Sequence, residues 1–140
     1  MVHIHDVLIP LRFLALLGHF LCTVIALFAV RDSVVVALPF TYTSAQMETG
    51  LVSARWALWL LLIFLSVNAV SFFCGFSTFD RALSLFHLIF HAVGATLLGL
   101  VVINKAHYLY FWYILLIFSG PQVLCDAFSI TSTILRGRRK

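Results

Sequence analysis

WALWLLLIFLSVNAVSFFCGF, residues 56–76, runs without one charged side chain. A hydrocarbon core of about 30 Å takes about 20 helical residues to cross, so Trp56–Phe76 reads as a transmembrane helix. Its one carboxamide, Asn68, lies on a single helical stripe with Ser71 and Gly75. Working outward, three further stretches have the same character. The four expected spans are about residues 11–30, 55–76, 82–104 and 109–135.

The whole chain agrees with this reading. Of its 140 residues 63% are hydrophobic and 10% charged, and the mean hydropathy is +1.10. Soluble domains hold roughly 25% charged residues, so lipid must cover much of this surface. The expected fold is an all-α membrane protein, a four-helix transmembrane bundle forming a single transmembrane domain over residues 1–140. The first apolar run exceeds the 7–15 residues of a signal-peptide core and has little positive charge before it, so it is read as a retained span.

Basic residues near span ends set orientation. With an even number of spans, Arg12, Arg81, Arg136, Arg138, Arg139 and Lys140 share one side, and Arg31, Arg55 and Lys105 lie on the other. Both termini are therefore expected in the cytoplasm, with a basic cytoplasmic tail at 136–140 and a long non-cytoplasmic loop at 31–54. The tail, Arg136, Arg138, Arg139 and Lys140, suits contact with anionic lipid at about 1 kcal/mol per charge; docking or trafficking signals share its chemistry. Within the loop, Val34–Tyr42 is rich in β-formers and too short to span, which suits a short hairpin or a partner site. Thr43 and Gln46 have capping-box spacing and suggest a helix feeding the second span.

Soluble-enzyme signals are absent: no Gly-rich phosphate loop, no G-x-S-x-G, no H-E-x-x-H and no paired cysteines. Cys22, Cys74 and Cys125 lie in separate apolar segments and read as small hydrophobes. No catalytic, cofactor-binding or metal residue is assigned, and the scattered basic residues give no nucleic-acid signature.

The informative residues are those that hydrocarbon rejects. Ser119, Gln122, Asp126, Ser129 and Thr133 fall on one stripe of the fourth span. His87, His91, Ala95 and Gly99 form a stripe on the third span, and Ala15, His19, Cys22 and Ala26 one on the first. Counted from the expected cytoplasmic ends, His19, Asn68, His91 and Asp126 lie at one level, about 12 Å deep at 1.5 Å per residue. They are expected to form a polar layer in which Asp126 bonds His91 or His19 and Asn68 completes the set. Three chemistries suit such a layer. One is interhelical hydrogen bonding that fixes register. The second is a bis-histidine haem site at His19 and His91. The third is a proton-coupled carrier centred on Asp126. Gly120-Pro121 should loosen or kink the fourth span.

Taken together, Arg12-Phe13-Leu14, His19, Arg31-Asp32-Ser33, Leu38-Pro39-Phe40-Thr41, Gly75-Phe76-Ser77, Phe79, His91, Trp112-Tyr113-Ile114, Pro121 and Asp126 stand in a telling order. In that order and spacing the chain resembles the transmembrane protein 107 family, over nearly its whole length. The resemblance implies a non-enzymatic scaffold or assembly subunit of the ciliary transition zone, without a cofactor. It implies a role in ciliogenesis and in controlling ciliary membrane composition. It also implies partners among tectonic, Meckel-syndrome-type and B9-domain proteins, besides the lipid bilayer itself.

Overall fold

The computed structural model describes residues 4–75, 78 and 80–137. Its elements are α1 (Ile4–Ala37), α2 (Ser44–Phe73), α3 (Arg81–Ile103), α4 (Leu109–Ile114), a π-helical turn (Leu115–Ser119) and α5 (Gly120–Gly137). The last three run on as one rod, so the chain makes four membrane-length helices: Val7–Ala37, Ser44–Phe73, Arg81–Ile103 and Leu109–Leu135. All described regular structure is helical. The start of α1, the end of α2, the start of α3 and the end of α5 lie at one end of the bundle, here the terminal end. The α1–α2 and α3–α4 links lie at the other, the loop end.

The long loop expected at 31–54 is replaced by a short connection, because helix extends into it from both sides. The β-branched Val34–Val36 run continues α1 instead of forming a hairpin. Propensity is a weak prior, and here tertiary contact outweighs it: Val34 is fully buried, and a Cβ added at Gly50 of α2 would lie only 2.6 Å from its Cγ1. Pro39 then makes further helix unfavourable. Thr43 opens α2 with a complete capping box: its Oγ accepts the Gln46 N–H at 3.3 Å, and its own N–H donates to Gln46 Oε1 at 2.9 Å.

At the terminal end α2 is capped by Cys74 and turned away at Gly75, whose φ of 78° is a conformation that glycine adopts without strain. Asp80 caps α3 by accepting the Leu83 N–H at 3.1 Å. At the loop end α3 stops in a Schellman arrangement. Ala106 N–H donates to Val101 O and Lys105 N–H to Val102 O, with Lys105 at φ 50° in the left-handed region.

The most extensive packing is α1 against α3. The seam on α1 runs through Leu8, Arg12, Leu16, His19, Thr23, Ala26 and Val30, all buried. On α3 it runs through Ser84, His87, His91, Gly94, Leu98 and Val101. Steps of three and four alternate along α3, and along α1 from Arg12 onward, which holds a straight seam; a strict step of four drifts about 40° each time at 3.6 residues per turn. Ala95 and Gly99, expected on the α3 seam, therefore drift to its edge.

Pro121 supplies no N–H, and its ring crowds the carbonyl four residues earlier. The helix answers by widening: Gly120 N–H reaches back to Leu115 O across five residues. The loosening expected at Gly120-Pro121 thus takes the form of a π turn, a register shift that re-aims everything after it.

Candidate functional site: a buried polar cluster

Arg12, His19, Asn68, Ser71, Ser84, His87, His91, Ser119, Gln122 and Asp126 are all buried, each at most 1% exposed. They come from all four membrane helices and lie in the terminal half of the bundle. An arginine remains charged in any surroundings, so its enclosure fixes the character of the site. Arg12 donates from Nη1 to Ser84 Oγ at 3.2 Å, and its guanidinium lies 5.3 Å from the centre of the Phe72 ring. Ser84 Oγ in turn donates to Thr78 O at 3.0 Å. Arg12 also lies within electrostatic reach of Asp126.

Asp126 does not meet His91 or His19, as the depth argument expects. Its partner is His87, with Nε2 3.3 Å from Oδ1 and both side chains fully enclosed. The two side chains lie within ion-pair distance but without hydrogen-bond alignment. His19 and His91 meet each other, Nδ1 to Nδ1 at 3.4 Å, so one of the two nitrogens carries the shared proton. Asn68 meets neither: its Nδ2 donates to Gln122 Oε1 at 3.4 Å. Gln122 Nε2 then donates to the His87 backbone carbonyl at 3.1 Å, tying α2, α5 and α3 together.

The four residues assigned to one level therefore occupy two tiers. Arg12, Ser84, His87 and Asp126 form the tier nearer the chain ends; His19 and His91 form the deeper one, with the Asn68–Gln122 bridge beside them. Counting from span ends carries an error of about a turn, because hydropathy does not locate those ends sharply. On the fourth span Ser119, Gln122 and Asp126 point inward, Ser129 is half-buried and Thr133 is exposed. The stripe fades where α5 runs beyond its neighbours. Arg136 stands in the last turn of α5, and Arg138, Arg139 and Lys140 lie outside the described residues, as do Phe76, Ser77 and Phe79.

Two members were not foreseen in their roles. Arg12 reads from sequence as a charge at the edge of a span. Its spacing of seven from His19, and of fourteen from Ala26, is the signal that places it on the inward seam. His87 reads from sequence as inward-facing, but its spacing does not mark it as the carboxylate's partner.

Several polar atoms here, both Asp126 oxygens, His19 Nε2, Asn68 Oδ1 and Ser119 Oγ, have no protein hydrogen bond. Such groups in a dry interior cost free energy unless ordered water reaches them. Among the described residues no group of three or more His, Cys, Asp or Glu side chains is placed to hold a metal ion. Haem ligation by His19 and His91 does not fit as they stand. Their rings touch each other, and the His19 ring presses on Gly94, where an added Cβ would lie 2.7 Å from Cε1; a flat macrocycle finds no slot. A proton path would need polar groups through the loop half as well. The core there is mainly Ala26, Val30, Leu58, Leu61, Leu98 and Phe111, with only the hydroxyls of Thr23, bonded to the His19 carbonyl, and Ser33 buried beside it among the described residues.

Four membrane-length helices joined by short turns, with a polar cluster shared among them, define a small multi-pass integral membrane protein whose outer faces lie in a lipid bilayer. More narrowly, the chain belongs to the TMEM107 (transmembrane protein) family, whose profile matches residues 8–130, a range that holds every buried polar residue of the cluster. It is 33% identical to transmembrane protein 107 of Homo sapiens over 126 residues, 89% of each chain. It is 33% identical to transmembrane protein 107 of Mus musculus over 130 residues, 91% of this chain and 87% of that one. No solved structure matches.

Proposed function

We propose that this chain is a non-enzymatic assembly subunit of the membrane at the base of cilia, the transition zone. There it joins tectonic, Meckel-syndrome-type and B9-domain proteins, and it contributes to ciliogenesis and to the barrier that controls ciliary membrane composition. Both termini face the cytoplasm in this reading, and the basic tail lies against the anionic leaflet. Membership of the family over about nine-tenths of the chain carries the proposal. The packing is compatible with it. Polar side chains on all four helices face one another in the interior, which suits a part that offers its outer faces and ends to neighbours.

Tagging the chain in ciliated cells and imaging it against a basal-body marker tests this. A band at the ciliary base supports the proposal. Even spread through internal membranes, with normal cilia after deletion, would sink it.

A further inference from the structure

Two arginines mark where hydrocarbon ends at the loop end. Residues 13–30 carry no charged side chain and Arg31 follows them; residues 56–76 carry none and Arg55 precedes them. Arg31 lies in α1 and Arg55 in α2, and both are exposed. An arginine stays charged in any surroundings, so two cations stand at the depth of the lipid head groups.

The packing brings them to one side of one helix pair. Val34 of α1 meets Gly50 of α2, where an added Cβ would lie 2.6 Å from Val34 Cγ1. Toward the terminal end from that contact, Arg31 is three residues along α1 and Arg55 five along α2. At 1.5 Å per residue the two differ in height by about 3 Å. Each also follows a buried residue, Val30 on α1 and Ala54 on α2. Antiparallel helices turn in opposite senses when seen from one end. A step of about 100° past the seam therefore emerges on the same side from both helices, and Arg31 and Arg55 flank the outer α1–α2 groove.

No carboxylate of the protein takes up this charge. Asp32, next to Arg31, is turned to Lys105 of α3 with Oδ2 3.1 Å from Nζ, and Glu48 lies about 10 Å further out along α2 than Arg55. Among the described residues neither arginine side chain has a hydrogen bond or ion pair. Below them the groove is apolar. One and two turns down are Leu27 and Val24 under Arg31, and Trp59 and Leu62 under Arg55. A cavity of about 490 Å³ opens beside Arg55, against Trp56, Trp59 and Ile63. An occupant that suits both levels carries an anion at head-group depth and hydrocarbon directly beneath it.

We propose that the outer α1–α2 groove binds an anionic phospholipid, its phosphate held between Arg31 and Arg55 and an acyl chain laid along Leu27, Trp59 and Leu62. Guanidinium forks match phosphate oxygens bidentately. Two cations facing one zwitterionic head group leave positive charge unmet, which selects a lipid of net negative charge. The site lies at the opposite end of the bundle from the buried polar cluster and does not depend on where in the cell the protein resides.

The test uses the full chain in phosphatidylcholine nanodiscs doped with phosphatidylglycerol that carries a photoactivatable diazirine in one acyl chain. Adducts are mapped by mass spectrometry. They should concentrate on residues 24–28 and 59–63 and be displaced by unlabelled phosphatidylglycerol. Arg31→Gln and Arg55→Gln, each at an exposed position, should each lower that yield about fivefold. Arg138→Gln combined with Arg139→Gln should leave it unchanged, which separates the groove from the basic tail's own attraction for anionic lipid. Each variant is first checked for a single sharp size-exclusion peak. Equal labelling by a phosphatidylcholine analogue, or full yield in both Arg31→Gln and Arg55→Gln, would overturn the proposal. So would displacement by inorganic phosphate, which would assign the arginines to a free anion.

Discussion

In the terminal half of the bundle the helices meet through Arg12, His19, Asn68, His87, His91, Gln122 and Asp126. In the loop half they meet through Ala26, Val30, Ala54, Ala57, Leu58, Leu61, Leu98 and Phe111. The same hydrocarbon covers both halves outside. Lipid is as apolar as leucine, so the loop half gains little from hydrophobic transfer and relies on close fit. Small residues supply that fit: Ala54, Ala57 and Ala26 are fully buried, and Gly50 lets Val34 approach its backbone. Such contacts tolerate sliding, because one methyl resembles another. The terminal half is directional, since Gln122 reaches both Asn68 and the His87 carbonyl only in one register. Fit does most of the work at the loop end, where Trp112 Nε1 still donates to Ser53 Oγ at 3.2 Å, and the buried hydrogen-bonded cluster defines the alignment at the other.

The strongest way to break this contrast is Asp126→Leu. It removes the carboxylate beside His87 and leaves Arg12 enclosed without its acidic neighbour. Breaking one member of a buried charge set costs about 3–5 kcal/mol. Thermal unfolding in detergent and steady-state protein level should both fall sharply; unchanged values would mean that the cluster does not hold the bundle together. Gly94→Ala is next. Its Cβ must displace the His19 ring, and overpacking of this kind costs about 1–3 kcal/mol. The same change at Gly99, where nothing lies within 4 Å, should be close to neutral. A second change, His19→Ala, should relieve the Gly94→Ala defect, and strict additivity of the two in a melting series would contradict the contact.

Smaller effects sharpen the picture. Asn68→Leu removes the bond to Gln122, and interhelical bonds in membranes average about 0.6 kcal/mol. A double-mutant cycle with Gln122→Leu should return a coupling of that size; zero coupling would separate the two side chains. Smallest is Lys105→Gly at the loop end. The left-handed backbone disfavours a side chain by about 1–2 kcal/mol, while the half-exposed pair with Asp32 contributes about 0–1 kcal/mol. Glycine's greater freedom in the unfolded chain costs about 0.5–1 kcal/mol, so the net change should be a gain of a few tenths of a kcal/mol, seen as a slightly higher melting temperature that hardly responds to salt.

How much of this was legible beforehand differs by residue. Trp56–Phe76 announces a span because it has no charge. Ser119, Gln122 and Asp126 announce an inward face because no lipid face accepts them. Thr43 and Gln46 announce a helix start by their spacing alone. By contrast Val34–Val36 reads as strand because β-branching is a local preference, and Gly50, sixteen residues away, overrides it. Arg12 reads as a boundary charge because nothing local says that Ser84 and the Phe72 ring will enclose it.

The sequence by itself determined that lipid surrounds four helices and which side of each must avoid it, since period and polarity are properties of one helix at a time. Which polar group meets which was decided only by the tertiary structure. His87 rather than His91 faces Asp126 because partners are set by the relative height and rotation of two helices. Those depend on packing at Gly94, on the extent of α1 beyond its apolar run and on the π turn before Pro121, none of which a single segment encodes.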